Sequence, residues 1–289
     1  MVLSFRKIFG IFVAGLFFIF LSQVVNGATF NRASLLEVVF LNVGQGDAIL
    51  INYLNRYQVL IDGGPDGKVL MYELGKVMPK DDKKIEIVIL THPDWDHFGG
   101  LVDLLDYYSV ESFLAGNIES DKESFQKLIS KIQEKSIPIN SPESGSRIDI
   151  GEYLDIEIIA PAKEFLFKED NDNSIVTRLD FGENSFLFTG DIGEKTEESL
   201  VKNQGNLLDV DWLKVAHHGS KNATSDIFLE KTTPDFAVIS VGKDNRYGHP
   251  AEELLERLGK SGSKILRTDE SDSVIVECGT LKEESCKVK

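Results

Sequence analysis

The chain has 289 residues, of which 42% are hydrophobic, and it carries a formal net charge of −16. This acidic balance argues against broad electrostatic binding to nucleic acid or to anionic lipid, and it favours solubility and local capture of cations. The length suits one large domain better than two, and the apolar content is sufficient for its core.

The first 28 residues have the composition of a targeting segment. Arg6 and Lys7 precede an apolar run, residues 8–21, which has the length of a signal-peptide core and is shorter than a comfortable membrane span. Small residues at 25–28 offer a cleavage site, and an uncleaved N-terminal anchor is the alternative. We expect residues 29–289 to be extracytoplasmic, either secreted or periplasmic. No membrane association is expected after cleavage, since no long hydrophobic helix follows residue 28.

Hydrophobic periodicity and turn signals divide the remaining chain into many short elements. Strands are predicted at 36–41, 48–53, 57–61, 84–90, 109–115, 156–160, 175–181, 185–188, 212–216, 235–241, 264–267 and 273–278. Helices are predicted at 69–77, 100–107, 120–134, 194–202, 225–231 and 251–258, and residues 141–150 are predicted to be a loop. The helices are too few to flank a purely parallel sheet. We therefore expect two mixed sheets packed on each other, with helices outside.

Two cysteines, Cys278 and Cys286, lie near the C-terminus and are not spaced like metal ligands. Outside the cytosol they could close a short loop as a disulfide, or they could remain free thiols. The sequence leaves both alternatives open.

One short stretch carries most of the chemistry. Between the strand at 84–90 and the helix predicted from Gly100, the residues His92, Asp94, Asp96 and His97 form the pattern His-x-Asp-x-Asp-His. Imidazoles and carboxylates are good ligands for a divalent cation, and four of them on one loop can point into one space. An ordinary polar loop is the alternative, but this combination is much rarer than any of its parts.

Four more polar segments adjoin predicted strands, namely residues 169–174, 189–191, 215–220 and 247–250. The chain has only five histidines, and all of them lie in these segments or in the first motif: His92, His97, His217, His218 and His249. Any one segment alone would be read as a turn or a surface site. Their concentration of imidazoles predicts a metal site, because histidine is the commonest metal-binding side chain.

The order of these motifs resembles the metallo-β-lactamase superfamily and, more narrowly, the soluble hydrolase domain of the bacterial DNA-uptake family ComEC. The runs Asn-Val-Gly-Gln-Gly-Asp-Ala at 42–48 and Leu-Ile-Asp-Gly-Gly at 60–64 belong to the same pattern, and the resemblance covers nearly all of 36–278. It implies an α/β (α+β) fold, a four-layer αβ/βα sandwich, with residues 29–289 as the hydrolase domain and two divalent metal ions at one edge. It does not imply a substrate.

The resemblance also implies roles for individual residues. The implied metal ligands are His92, Asp94, Asp96, His97, Asp191 and His249, with Asp191 bridging two ions and with Asp172 or Asn173 completing one coordination sphere. Asp96, His217 and His218 are the candidate catalytic residues; either His217 or His218 could be the acid or an added ligand. Asp62 is expected to orient a ligand imidazole through a hydrogen bond. Lys221, Asn245 and Tyr247 could contact substrate.

Two departures from the superfamily pattern bear on the metal. Asp94 stands where the broad family has a second histidine, and the loop before the Gly-Asp strand offers Asn171, Asp172 and Asn173 in place of a histidine. Both changes replace nitrogen with oxygen. Oxygen ligands suit Mn²⁺ relative to Zn²⁺, so we favour Mn²⁺ and keep Zn²⁺ as the alternative.

The function that these observations favour is a metal-dependent phosphodiesterase or nuclease that acts on nucleic acid or on a small phosphodiester. The acidic composition counts against a nuclease, since the only visible basic stretch is the scattered lysines at 76–84. A lactonase, a β-lactamase or another acyl hydrolase is the alternative enzyme and would prefer a nitrogen-rich ligand set. A non-catalytic, competence-related DNA-binding domain is the other alternative and would lack ligands. The oligomeric state is left open.

Overall fold

Two β-sheets form the framework of the computed structural model, which describes residues 35–116, 120–150, 154–162, 167, 169–279 and 286–289. The described residues belong to one compact unit that spans Ser34–Lys289. The targeting segment predicted at residues 1–28, and its cleavage site, lie outside the described residues.

The first sheet has eight strands: β1 (Leu36–Phe40), β2 (Ile49–Tyr53), β3 (Tyr57–Ile61), β4 (Lys84–Leu90), β5 (Ser109–Ala115), β6 (Ile139–Asn140), and, from the end of the chain, β14 (Val274–Cys278) and β15 (Lys287–Val288). The second sheet has seven: β7 (Arg147–Asp149), β8 (Leu154–Ala160), β9 (Val176–Phe181), β10 (Asn184–Phe188), β11 (Trp212–Lys214), β12 (Phe236–Ile239) and β13 (Lys264–Arg267). The strand orders are β15-β14-β1-β2-β3-β4-β5-β6 and β13-β12-β11-β10-β9-β8-β7.

Helices cover the outer face of each sheet. The helices α1 (Gly67–Val77), α2 (Trp95–Tyr107) and α3 (Glu123–Glu134) pack on the first sheet, and α4 (Glu194–Gln204), α5 (Asp226–Thr232) and α6 (Glu252–Ser261) pack on the second. A one-turn helix, α7 (Thr268–Ser271), follows β13. The predicted four-layer αβ/βα sandwich is confirmed.

The space between the two sheets is filled by aromatic side chains. Phe40 of the first sheet meets Phe188 of the second with ring centroids 6.1 Å apart, and Trp212 stacks on Phe186 at 5.7 Å. All four side chains are essentially inaccessible to solvent. Each such ring contributes about 2–3 kcal/mol of burial free energy, so this layer fixes how the sheets face each other.

Parallel pairing brings the polar segments to one edge. Strands β3, β4 and β5 run parallel in the first sheet, and β10, β11 and β12 run parallel in the second. Their carboxyl ends therefore share an edge of the sandwich, which is where α/β folds assemble sites. The predicted motifs follow β4, β10, β11 and β12.

The start of α2 differs from the prediction. The helix begins at Trp95 and not at Gly100, so Asp96 and His97 belong to its first turn and not to a loop. The two glycines lie inside the helix because it packs closely on the preceding loop. A Cβ at Gly100 would overlap the carbonyl oxygen of Gly63, and the amide of Gly100 donates to the carbonyl of Gly64 at 2.8 Å.

The 141–150 region also differs from the prediction, because β7 lies within the expected loop and pairs with β8. Among the described residues, no helix combines the length and the apolar character needed to cross a bilayer. Cys278, at the end of β14, forms a disulfide with Cys286, which resolves the alternative that the sequence left open.

Candidate metal centre

Imidazoles and carboxylates from both sheets converge at the shared edge. Their ligand atoms fall into four overlapping groups whose atoms all lie within 4.8 Å of one another: His92, His97 and Asp191; Asp96, His97 and His218; Asp47, Asp191 and His218; and Asp47, Asp62 and His97. Apart from the partly exposed Asp96, every member is buried. The first sheet supplies the donors that precede residue 100, and the second supplies Asp191 and His218.

Asp191 lies at the centre of this cluster. Its Oδ2 is 3.3 Å from Nε2 of His97 and 3.2 Å from Nε2 of His218. The backbone holds this position, because the Asp191 amide donates to Oγ of Ser174 at 3.3 Å. Asp191 therefore faces imidazoles from both halves of the donor set through one oxygen.

His97 is oriented by Asp62 at the end of β3. The Asp62 carboxylate accepts from the Thr91 amide at 2.8 Å and the Thr91 hydroxyl at 2.7 Å, and it lies 2.8 Å from Nδ1 of His97. With Nδ1 engaged in this way, Nε2 of His97 is directed at Asp191. A carboxylate behind a histidine is the arrangement that fixes the tautomer and ring angle of a metal ligand.

His92 is held from behind by two hydroxyls. Its Nδ1 lies 3.0 Å from Oγ1 of Thr91 and 3.3 Å from Oγ of Ser174, and its Nε2 points towards Oδ2 of Asp94 at 3.8 Å. Asp94 occupies the N-cap of α2 but makes no capping hydrogen bond. Its other oxygen contacts Nζ of Lys122 at 2.6 Å, and Asp94, a predicted ligand, belongs to none of the four groups found among the described residues.

The residues present fit a divalent metal. Buried nitrogen and oxygen atoms normally have hydrogen-bond partners, yet Nε2 of His92, His97 and His218 have none. These atoms belong to side chains that come together at the cluster. Lone pairs on neutral imidazoles and carboxylates are what a borderline or hard divalent ion requires, so a cation would satisfy the atoms that the protein leaves unpaired.

The two adjacent histidines lie in a strained turn that directs their side chains to different environments. His217 and His218 both have left-handed backbones, with φ 50° and φ 52°, and Gly219 continues the turn at φ 86°. Left-handed non-glycine residues are uncommon and cost free energy. The turn buries His218, whose side chain is 2% exposed, and leaves that of His217 38% exposed with its Nε2 3.9 Å from Asp191.

The electrostatics of the cluster follow from burial and close opposite charge. Burial would raise the pKa of Asp191, but the charges of His218 and His97 hold it well below its usual range. Burial would lower the pKa of His218, but Asp191 and Asp47 raise it well above its usual range. For His92, burial and then the charge of His97 lower the pKa to about 3, so this imidazole is neutral and free to donate a lone pair.

The sequence model of the metallo-beta-lactamase superfamily matches residues 41–243, more than half of the chain. The chain belongs to the metallo-beta-lactamase superfamily. The family is one of hydrolases, and its fold implies binding of divalent metal, typically zinc.

Relatives support the narrower resemblance to the ComEC family. The chain is 30% identical over 256 residues to ComE operon protein 3 of Bacillus subtilis, covering 82% of this chain and 32% of that protein. It is 30% identical to Recombination protein 2 of Haemophilus influenzae, covering 83% and 28%, and 29% identical to Competence protein ComA of Neisseria gonorrhoeae, covering 81% and 31%. The chain thus spans about a third of the length of these relatives.

Solved structures show the same fold at low identity. Zn(2+)-bound PqqB from Methylobacterium extorquens has a TM-score of 0.53 at 11% identity, covering 81% of this chain and 87% of that chain. The metallo-beta-lactamase fold protein YhfI from Bacillus subtilis has a TM-score of 0.52 at 14% identity, covering 80% and 95%.

Some of the sequence-predicted ligands are not brought into the metallo-beta-lactamase cluster. Asp172 accepts from the Gly193 amide at 3.1 Å, and the side chain of Asn173 binds backbone atoms of Phe167 and Glu169. These contacts commit Asn173 to its own loop and Asp172 to the backbone of the segment that follows Asp191. His249 belongs to none of the four groups found among the described residues; its ring lies 5.9 Å from that of His217. His218, whose role as an acid or an added ligand the sequence left open, belongs to two of the groups.

Of the three residues predicted to contact substrate, one is engaged within its own loop and two are exposed. Asn245 uses its side chain within its own loop, donating to the carbonyls of Gly242 and His249 and accepting from the amides of Tyr247 and His249. It shapes the loop and is not available to a ligand. Lys221 and Tyr247 are exposed.

Two buried site residues had no predicted role, Asp47 and Lys214. Asp47 lies in the glycine turn between β1 and β2, and Lys214 is the last residue of β11, two positions before the turn that carries His217. A lysine in an otherwise apolar strand was the signal that could have identified it, since lysine is almost never fully buried without a partner.

Proposed function

We propose that this protein is an extracytoplasmic, metal-dependent phosphodiesterase whose substrate is single-stranded nucleic acid or a small phosphodiester. The observation that carries the proposal is the convergence of three imidazoles with Asp94, Asp96 and Asp191 at one edge of a metallo-beta-lactamase fold. The names of the relatives, a competence protein and a recombination protein, support a nucleic-acid substrate.

We further propose that two ions bind and that Mn²⁺ is preferred. One proposed donor set is His92 and Asp191 with Asp94, whose Oδ2 lies 3.8 Å from Nε2 of His92, and the other is Asp96 with His97 and His218. Asp191 groups with His92, and its Oδ2 lies 3.3 Å from Nε2 of His97 and 3.2 Å from Nε2 of His218, which suits a bridging ligand. Three carboxylates in six donors favour a harder ion than an all-histidine site would. At such a site a divalent ion supplies activation of water and neutralisation of negative charge on phosphate oxygens.

His217 is the proposed proton donor. Its exposed side chain stands beside Asp191 Oδ2, on the solvent side of the buried His218, and its ring packs edge-on against His249 at 5.9 Å. The leaving oxygen of a phosphodiester needs a proton as the ester bond breaks, and a histidine within reach can provide it. The buried His218 has no such access to solvent.

The rim of the site suits a nucleotide better than the net charge suggests. Tyr247 is 54% exposed and is covered by the guanidinium of Arg246 at 4.9 Å, and Trp95, between Asp94 and Asp96, is 51% exposed. Exposed aromatic rings stack on bases, and cations track the phosphates of single strands. Local positive charge and base stacking can therefore compensate for the net negative charge of the protein when the substrate is short or single-stranded.

The Cys278–Cys286 disulfide supports the proposed location. Disulfides persist in oxidising compartments and are rare in the cytosol of mesophiles.

The decisive experiment is a substrate panel with the metal-stripped protein reloaded with Mn²⁺ or with Zn²⁺. The panel contains single-stranded DNA, RNA, bis(p-nitrophenyl) phosphate and a β-lactam, and the Asp191→Asn variant is the inactive control. We expect phosphodiester cleavage with Mn²⁺ that is lost in Asp191→Asn. Cleavage of the β-lactam alone would overturn the proposed reaction, and rescue by zinc with manganese inert would overturn the proposed metal.

A further inference from the structure

Lys214 is a fully buried cation at the floor of the cluster. Burying an ammonium group is costly unless it is paired and hydrogen-bonded. Its Nζ donates to the carbonyl of Gly190 at 2.8 Å, forms an ion pair with Asp47, and lies 3.6 Å from Oδ1 of Asp191. Gly190 and Asp191 are adjacent, so Lys214 contacts both the backbone and the carboxylate of the segment that carries Asp191.

Asp47 links this cation to a metal-facing imidazole. Its Oδ1 is 3.4 Å from Nδ1 of His218, which also lies 3.1 Å from the carbonyl of Ser240. Asp47 comes from the first sheet, whereas Lys214 and His218 come from the second. The pair thus spans the two sheets directly beneath the donors.

The two oxygens of Asp191 therefore have different neighbours. Oδ2 faces the imidazoles of His97 and His218, whereas Oδ1 faces the ammonium of Lys214. A cation bound among the donors and the ammonium group would both be attracted to the same carboxylate, and they would repel each other.

We propose that Lys214 and Asp47 form a positioning pair, in which Lys214 is the internal counter-cation that keeps the donors of both sheets assembled before metal binds. This inference rests on the metal centre of the proposed function, although not on its substrate. When a divalent ion is present, it compensates Asp191 itself. Lys214 accordingly contributes more to the stability of the protein without metal than with metal. Its positive charge also lowers the affinity of the donors for the divalent ion.

The test is the variant Lys214→Met, which keeps the apolar stem and removes the charge. Thermal unfolding is measured in chelator and in saturating Mn²⁺, and the Kd for Mn²⁺ is measured by calorimetry on the folded protein. We expect the Tm in chelator to fall further than the Tm with Mn²⁺, and the Kd to become tighter, on the order of tenfold. Equal falls in both Tm values with an unchanged Kd would show that the pair is only structural, and a weaker Kd would contradict the counter-cation role.

Lys131→Met is the matched control. Lys131 pairs with Asp106 at 2.6 Å and donates to the carbonyl of Val102 at 2.8 Å, between α3 and α2 and outside the donor set. Its loss should shift both Tm values equally and leave the Kd for Mn²⁺ unchanged.

A second variant covers the case in which Lys214→Met fails to fold. Lys214→Gln retains a donor for the Gly190 carbonyl, and the same comparison applies to it. Folding that requires Mn²⁺ in either variant is the extreme form of the expected result, whereas failure to fold with and without Mn²⁺ in both would overturn the inference. Because every measurement is of binding or stability, a protein that cleaves no phosphodiester leaves the result intact.

Discussion

Adjacent histidines can serve different purposes when the backbone turns between them. His218 is 2% exposed and meets Asp191 and Asp96 through Nε2, whereas His217 is 38% exposed and lies farther from Asp191. We expect His218→Ala to lose bound metal. His217→Ala should keep its metal and lose about 10²- to 10⁴-fold in kcat, the usual contribution of a general acid.

Metal content by plasma emission spectroscopy and steady-state kinetics on the same samples check this expectation. Each variant serves as the control for the other, since both remove one imidazole from the same turn. The assignment fails if His217→Ala loses metal, or if His218→Ala retains both metal and activity.

Tyr247 offers a second prediction at the level of one side chain. If its ring stacks on a base, Tyr247→Ala should raise KM for a single-stranded oligonucleotide about tenfold with little change in kcat, since one stacked base contributes about 1–3 kcal/mol. Tyr72 is the matched control, because it is 67% exposed and also has a cation, Lys76, 4.6 Å above its ring, on α1. An equal effect of Tyr72→Ala would remove the stacking explanation.

The residue types of the site could be read from the sequence, but their partners could not. The pattern from His92 to His97 and the Gly-Asp turn at 190–191 located most donors, because imidazoles and carboxylates are common metal ligands. The choice between His217 and His218 as the buried imidazole beside Asp191 depended on the left-handed turn at 217–219, which no local preference predicts. The roles of Asp47 and Lys214 depend on contact between the sheets, and that contact joins residues far apart in the chain.

At the scale of elements, the glycines of α2 matter because of what the helix touches. Gly100→Ala would place a methyl group against the carbonyl oxygen of Gly63 and displace the turn that carries Asp96 and His97. We expect a loss of about 2 kcal/mol or more of unfolding free energy, together with weaker Mn²⁺ binding.

Gly75→Ala is the control for this prediction. Gly75 also lies inside a helix, α1, but nothing lies within 4 Å of an added Cβ. Alanine there should stabilise the protein by up to about 1 kcal/mol and leave metal binding unchanged. Denaturant titration and calorimetry would measure both effects, and similar behaviour of the two variants would contradict the packing argument.

Strands were easier to predict than helix starts. The bounds predicted for β3, β4, β5 and β13 match the structure. In β3 and β4 the reason is that a run rich in Ile, Val and Leu ends sharply at polar turn residues. The start of α2 was wrong because glycine disfavours helix in isolation, and close packing on the 63–65 loop overrides that preference here. The strand β7 was missed because three residues close to Gly145, Ser146 and Gly151 carry almost no periodic signal.

For the molecule as a whole, the metal centre is a link between two sheets. We expect saturating Mn²⁺ to raise the Tm by about 5–10 °C over the chelated protein, from the linkage of binding to folding. Hydrogen exchange should slow on removal of chelator in residues 91–97 of the first sheet and in 190–192 and 216–219 of the second. Protection gained on only one sheet would contradict a shared site.

Each sheet supplies only part of the donor set. The complete set of ligands therefore exists only after both sheets have folded and packed together. A polypeptide that crosses a membrane unfolded would carry no metal from the compartment that it leaves. It would bind the ions that are present where the two sheets pack together. The identity of the resident ion then follows supply at the place of final folding as much as the affinity order of free metals.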